Sequence, residues 1–188
     1  LSGTGNLCQV CYDEVRLPLG NVVGEVNGGW DVSMTTLGFE RGTAFIAHQI
    51  HLAATLEQLY VMAHDVRGPD GCRPAIEDGA TVEQLLKLRA EVAALRAMTY
   101  LSVSRGARQA VPGPEGNIIA LHYAELSQRI HAFAVELLGN EALETHAENP
   151  DWLTDYLDAF KNTIAGGTSE IRRNVIGERL LGLPRGGR

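Results

Sequence analysis

From about Trp30 to about His64 no proline interrupts the chain, and Met34, Leu37, Phe45, Leu52, Leu56 and Leu59 recur mostly three, four or seven residues apart. That is the spacing of one face of an α-helix, so the stretch reads as a single long helix. Between residues 66 and 80 the breakers Gly68-Pro69-Asp70-Gly71 and Asp78-Gly79 mark a loop, closed by Thr81 as a helix cap with Glu83 and Gln84 behind it. A second helix is expected from about Val82 to about Ala110, where Leu85, Leu88, Val92, Leu95 and Thr99 keep a near-heptad stripe of the kind that packs against other helices. Pro112-Gly113-Pro114 stops it. A third helix, from about Glu115 to Leu138, carries Ile119, Leu126, Ile130, Phe133 and Leu137 on one side and ends at Gly139-Asn140. After a looser acidic stretch, Pro150 opens a short helix to about Ile164. Gly166-Gly167-Thr168-Ser169 then leads into a final helix that stops before Gly182-Leu183-Pro184.

Ahead of the helices, residues 5–16 read as extended, with Leu7, Val10, Tyr12 and Val15 among polar and turn-forming residues, too little to make a sheet. Leu17-Pro18-Leu19-Gly20-Asn21 and Asn27-Gly28-Gly29 break that pattern. The fold class expected is all-α, an antiparallel four-helix bundle over residues 28–188, preceded at residues 1–27 by a short β remnant and linker.

Composition narrows the classes. With 188 residues, 45% hydrophobic and 21% charged, the chain has enough apolar material for a core. A formal net charge of −7 with scattered Lys and Arg argues against a nucleic-acid surface, which needs a basic face. Nowhere do 18 apolar residues run consecutively and no basic segment leads into an apolar run, so neither a membrane span nor a signal peptide is expected, and the cytoplasm is the expected location. The first residue is Leu1 rather than Met, and an N-terminal portion is expected to be missing. Cys8, Cys11 and Cys72 form no second pair that would complete four zinc ligands, and His48 and His51 lack an accompanying carboxylate pattern, so no metal site is expected.

Two stretches carry candidate chemistry. In Thr36-Leu37-Gly38-Phe39-Glu40-Arg41-Gly42-Thr43 one carboxylate sits among apolar neighbours beside a permanent cation. Burial raises a carboxylate pKa and the arginine opposes the rise, which makes Glu40 a candidate general base; the alternative is an ordinary helix-surface pair with Arg41. Gly166-Gly167-Thr168-Ser169 offers backbone freedom, hydroxyls and N–H groups at a helix N-terminus, either as a cofactor-contact loop or as a plain cap.

The run Ile164-Ala165-Gly166-Gly167-Thr168-Ser169-Glu170-Ile171-Arg172-Arg173-Asn174-Val175-Ile176-Gly177-Glu178-Arg179-Leu180-Leu181-Gly182-Leu183-Pro184-Arg185 resembles the C-terminal signature of the acyl-CoA dehydrogenase family. Tyr12-Asp13-Glu14-Val15-Arg16-Leu17-Pro18, Asn21-Val22-Val23-Gly24-Glu25, Gly28-Gly29-Trp30 and Phe39-Glu40-Arg41 resemble, in that order, the family's passage from its β domain into its C-terminal bundle. The resemblance covers essentially the whole chain. It implies an FAD enzyme that converts an acyl-CoA thioester to the trans-2-enoyl form and passes electrons to an electron-transfer flavoprotein, as a homo- or hetero-oligomer.

The resemblance also assigns residues. Family members carry the base either just before the Gly-Thr of the signature, where this chain has Gly166, or in the first bundle helix before an arginine, which here is Glu40 followed by Arg41. Gly167, Thr168 and Glu170 match positions that touch FAD in relatives. Two departures stand out. Where relatives have Arg-x-x-Phe-Gly for the FAD pyrophosphate of a neighbouring subunit, this chain reads Val66-Arg67-Gly68-Pro69-Asp70-Gly71-Cys72-Arg73-Pro74, and where they have Gln with Gly-Gly-x-Gly it reads Glu136-Leu137-Leu138-Gly139-Asn140-Glu141-Ala142. These changes resemble an actinobacterial-type subgroup and leave open a non-catalytic or FAD-completing subunit of a heteromer, with Arg67 or Arg73 as the replacement cation.

Overall fold

A computed structural model describes residues 8–108, 113–144 and 151–185, apart from the side chains of residues 39–44. Three long helices dominate: α1 (Gly29–Asp65), α2 (Gly79–Gly106) and α3 (Gly116–Leu138). They are followed by the short helices α4 (Trp152–Ala159) and α5 (Ser169–Val175). Among the described residues no strand forms, and residues 10–27 run as exposed, mostly irregular chain with one 3-10 turn at Leu19–Asn21.

The expected stripes are the core over most of their length, though Met34 and Leu37 of the α1 stripe are exposed and Phe45 and Leu137 are only partly buried. Leu52, Leu56 and Leu59 of α1, Leu85, Leu88, Val92 and Leu95 of α2, and Ile119, Leu126, Ile130 and Phe133 of α3 form one buried cluster that Trp152 of α4 completes. Opposite pairs fix the direction of the helices. Glu57 pairs with Arg89 across α1 and α2, close to the hairpin turn, so those two run antiparallel. Arg129 grips Glu91, and Arg105 meets Glu115, so α3 reverses again. These pairs are exposed or half-exposed and add direction more than stability.

The fourth position of the bundle differs from the expectation. Instead of one helix to Ile164, α4 stops at Ala159 and tightens into a 3-10 turn over Phe160–Thr163, and after the glycine turn α5 widens into a π-turn over Ile176–Leu180. Asn162 and Thr163 are weak helix formers, and the Thr163 hydroxyl bonds back to the Phe160 carbonyl, which favours the tighter turn. The start of α2 is also corrected. Asp78, not Thr81, is the N-cap: its carboxylate accepts the Thr81 N–H at 2.8 Å, because an ionised acceptor at the helix start outcompetes a hydroxyl further in. The helix ends at Gly106, short of the expected Ala110, which lies outside the described residues with Pro112 and Pro150.

Two glycine positions carry the turns that set the site. Gly139 closes α3 at φ 56°. Gly166 and Gly167, at φ 68° and 112°, let the chain reverse between α4 and α5, a pair of left-handed conformations that side chains oppose.

Candidate functional site

The backbone of position 40 lies in the first half of α1, while the side chains of Glu40 and Arg41 lie outside the described residues. Helical register still separates them. Position 41 falls on the stripe of Leu37, Phe45 and His48, which line a partly open cavity, with Leu37 and His48 themselves exposed; position 40 falls on the stripe of Thr36, Ala47 and His51, all exposed. Trp30, Met34 and Leu37, with 74%, 42% and 38% of their surface open, continue the apolar exposure along that end of the helix.

The cavity, about 240 Å³, is walled by α1, by Asn117, Ala120 and Tyr123 of α3, and by Asn162, Ala165, Gly166 and Arg172. The His48 ring stacks on Tyr123 at 4.9 Å, with Phe45 tilted against both. Burial lowers the His48 pKa, helped by His51 and Lys161, so the ring is held neutral; burial raises that of the Tyr123 phenol, with Asp158 adding to the rise.

The glycine turn brings the three expected cofactor residues together. Thr168 caps α5, its hydroxyl oxygen accepting the Ile171 N–H at 3.3 Å. Glu170 is exposed, and its carboxylate is held below the usual range first by its own backbone N–H, then by the Thr168 hydroxyl, with Arg173 also favouring the charge. The N-terminal turn of α5 therefore already carries an anion, which leaves Gly167 and the outer face of Thr168 as its open parts. Ser169 Oγ, buried behind the turn, has no hydrogen-bond partner among the described residues.

Sequence reasoning passed over Arg172. It is only 6% exposed and sends Nη1 to the carbonyls of Ala120 (3.2 Å) and Asn162 (3.0 Å) and Nη2 to that of Ala165 (2.8 Å). Its neighbour Arg173 is exposed and pairs with Glu125 of α3. The one signal separating the two arginines is spacing: Arg172 lies three residues from buried Ser169, on the inner side of α5.

A second recess, about 790 Å³, lies at the other end of α3, between the hairpin turn, the start of α2 and Arg129, Phe133, Glu136 and Leu137. Arg67 lines it, with Nη1 also donating to the Cys72 carbonyl. Arg73 is absent from its walls and is bound to Asp70 at 2.8 Å; the backbone N–H of Cys72 first, and then Arg73, hold the Asp70 carboxyl well below its usual range. From Ala120 to Phe133 is thirteen residues of helix, so the two recesses are about 20 Å apart along α3.

No helix among the described residues is long and apolar enough to cross a membrane. Among them, no three His, Cys, Asp or Glu side chains are placed to hold a metal ion, and the thiols of Cys8, Cys11 and Cys72 are free and exposed.

Comparison with known proteins agrees with this geometry. A family model described as acyl-CoA dehydrogenase, C-terminal domain, matches residues 27–181. Acyl-CoA dehydrogenase IpdE1 of Mycobacterium tuberculosis is 32% identical over 187 residues, covering 98% of this chain and 46% of its own length. Acyl-CoA dehydrogenase FadE26 of the same organism is 26% identical over 186 residues, covering 94% of this chain and 46% of its own. Among solved structures, glutaryl-coenzyme A dehydrogenase in complex with glutaryl-CoA superposes with a TM-score of 0.78 at 19% identity, over 94% of this chain and 44% of that one. The ChsE4–ChsE5 complex of Mycobacterium tuberculosis gives 0.76 at 23%, over 94% and 45%. The chain spans about half the length of the curated relatives it matches.

Proposed function

This chain belongs to the acyl-CoA dehydrogenase family, and on that premise we propose that it supplies the C-terminal bundle of an FAD-dependent enzyme that dehydrogenates an acyl-CoA thioester between its α and β carbons. Residues 1–27 are the end of a β domain and its linker, and residues 28–188 the bundle, a boundary consistent with the family match beginning at residue 27.

Glu40 is the base in this reading. Its carboxylate takes the proton from the carbon beside the thioester carbonyl, while the electron pair of that C–H bond becomes the second bond between α and β carbons. An α proton of a thioester is weakly acidic, so the base has to be fixed and shielded from water. The supporting observation is the register of α1: position 40 shares an exposed stripe flanked by the open apolar residues Trp30, Met34 and Leu37, a surface that suits a cleft closed by the rest of the enzyme. Arg41, next to it in sequence, would organise the site near the flavin. Bound FAD supplies the hydride acceptor for the β carbon.

The residues present fit such a cofactor at two places. Gly167 and Thr168, with Glu170 beside them, would contact the cofactor, where backbone without a side chain permits close approach. The 790 Å³ recess offers Arg67 to an anionic dinucleotide, beside apolar Phe133 and Leu137; Arg129 there is engaged by Glu91, the first turn of α2 is already capped by Asp78, and Glu136 limits further the charge it accepts. By the resemblance, in which relatives use an arginine of this connection for the FAD pyrophosphate of a neighbouring subunit, the recess is assigned to a neighbour's FAD, and Arg67, which lines it, rather than Arg73, which is held by Asp70, is the cation. Electrons leave to an electron-transfer flavoprotein.

A second reading, an FAD-completing subunit paired with a different acyl-CoA dehydrogenase-like chain, is favoured by Glu136 in that recess and by the likeness to the ChsE4–ChsE5 complex. One experiment separates the two. In the whole protein, Glu40→Gln should abolish flavin bleaching by acyl-CoA in single-turnover absorbance while leaving binding nearly intact, since the amide keeps the shape and takes no proton. A variant that reduces its flavin within tenfold of wild type removes Glu40 from the mechanism.

A further inference from the structure

We propose that Arg172 is a positioning residue for this reaction: from inside the bundle it fixes the Ile164–Thr168 turn, and through it the face that Gly167 and Thr168 present to the cofactor. The inference rests on the dehydrogenase reading for its consequence, and on the geometry of this chain alone for its cause.

The turn has little else to hold it. Gly166 and Gly167 carry no side chains and both sit at positive φ, Ile164 is 68% exposed, and the backbone bonds entering the turn, from the N–H groups of Ile164 and Ala165, both end on the Lys161 carbonyl. Arg172 adds the ties that reach across. Its guanidinium joins three separate segments, the wall of α3 at Ala120, the 3-10 turn at Asn162, and the glycine turn at Ala165. A Cβ on Gly166 would stand 3.7 Å from Arg172 Nη2, so the guanidinium lies directly under the turn. Asn162 and Ala165 sit where the α4 segment ends and carbonyls lose their helical partners, the end at which a cation is favoured. A planar fork with several fixed N–H directions can serve three carbonyls at once, whereas an ammonium cannot span them and an amide has two N–H bonds at most.

The arrangement inverts the ordinary pattern of a surface helix. Ile171 is 55% exposed and Arg172 beside it is buried, so the sequence spends a buried charge on the inner side and leaves an apolar residue outside. A hydrocarbon at position 172 would pack there without holding the turn, and the loss would appear as mobility of residues 164–168 rather than as an unfolded bundle.

The test uses Arg172→Gln and Arg172→Lys with two readouts. Hydrogen exchange on the chain itself follows the amides of Ile164, Ala165 and Arg172 against those in the middle of α2. Exchange at the turn should quicken at least tenfold in Arg172→Gln and less in Arg172→Lys, with α2 unchanged. In the whole protein, Arg172→Gln should lower the flavin reduction rate at saturating acyl-CoA at least tenfold and shift the acyl-CoA dissociation constant less than threefold, because small misplacements of a reacting centre are costly to rate. Unchanged exchange at the turn overturns the proposal, as does a uniform rise across α2 and α5, which would mark Arg172 as a general stabiliser. If neither variant folds, the wild-type chain decides: Ile164 and Ala165 amides as fast as those of the exposed, irregular residues 10–17 overturn it, and slow exchange there supports it. A wild-type flavin that no acyl-CoA reduces defeats the dehydrogenase reading alone, since the exchange comparison still reports on Arg172.

Discussion

Leu86 and Leu88 lie two residues apart on α2, yet Leu88 is fully buried and Leu86 is 61% exposed, so replacing each by alanine tests the register on which the bundle is built. Leucine to alanine removes about three carbon groups, worth roughly 0.8 kcal/mol each when fully withdrawn from water, or about 2.4 kcal/mol. Leu88 belongs to the same buried cluster as Leu59, Leu85, Val92 and Ile130, which cannot all collapse into the space, so a cavity cost brings the total to about 3–5 kcal/mol. At Leu86 well under half of the transfer applies and no cavity forms, which leaves less than about 1 kcal/mol. Urea unfolding followed by far-ultraviolet circular dichroism should show a large fall in midpoint for Leu88→Ala at unchanged slope, and a small one for Leu86→Ala. Equal losses at both positions, or a loss below about 1 kcal/mol at Leu88, would refute the packing of α2 against α1 and α3.

His131 is buried against Trp152 with Nδ1 bonded to the Ser127 carbonyl, and burial lowers its pKa below the ordinary 6.5 despite that bond and the nearby Asp155. The unfolded chain then binds more protons than the folded one as pH falls below about 6.5, so stability should be constant above that point and decline beneath it; a urea midpoint that rises from pH 7.5 to 5.5 contradicts the sign, and His131→Gln should flatten the decline. On the proposed function, Arg67→Gln should weaken FAD retention in the whole protein by about ten- to a hundredfold, from roughly 1.5–3 kcal/mol for a charge-assisted phosphate contact, while Arg73→Gln changes it little. Flavin fluorescence after dilution measures both, and release on losing Arg73 but not Arg67 would reverse the assignment.

The long helices were legible because their cores repeat: the stripe from Leu85 to Thr99 is buried at each of its five positions, and Ile119, Leu126, Ile130 and Phe133 behave alike on α3. Local competition was less legible. Asp78 and Thr81 both resemble caps in sequence, and only the backbone path decides which side chain faces the open N–H. The short elements at the C-terminal end were harder still, since α4 and α5 are too short for periodicity to be decisive and the switch to 3-10 or π turns depends on tertiary fit. Glu40 was singled out from chemistry and resemblance, and backbone register adds only which stripe it occupies. Arg172 escaped notice because an arginine dipeptide in sequence says nothing of which member turns inward.

The same inversion recurs at several places, and it bears on what the bundle is for. A helix packed only within this chain would hide its large apolar residues, but Trp30, Met34 and Leu37 of α1, Ile164 before the glycine turn and Ile171 of α5 are open, while Gln49, Ser169 and Arg172 are buried. Scattered exposed leucines need no explanation; apolar exposure on both segments that frame the proposed cleft does. Burying Arg172 costs free energy unless its carbonyl partners are held, and leaving Ile171 open costs again unless something covers it. Both costs become intelligible together if the outer faces of α1 and α5 are completed by cofactor, substrate and the remaining domains, while the polar residues behind them fix the geometry that those ligands meet. The bundle interior then acts as the rigid support, and the base proposed at Glu40 works at its surface.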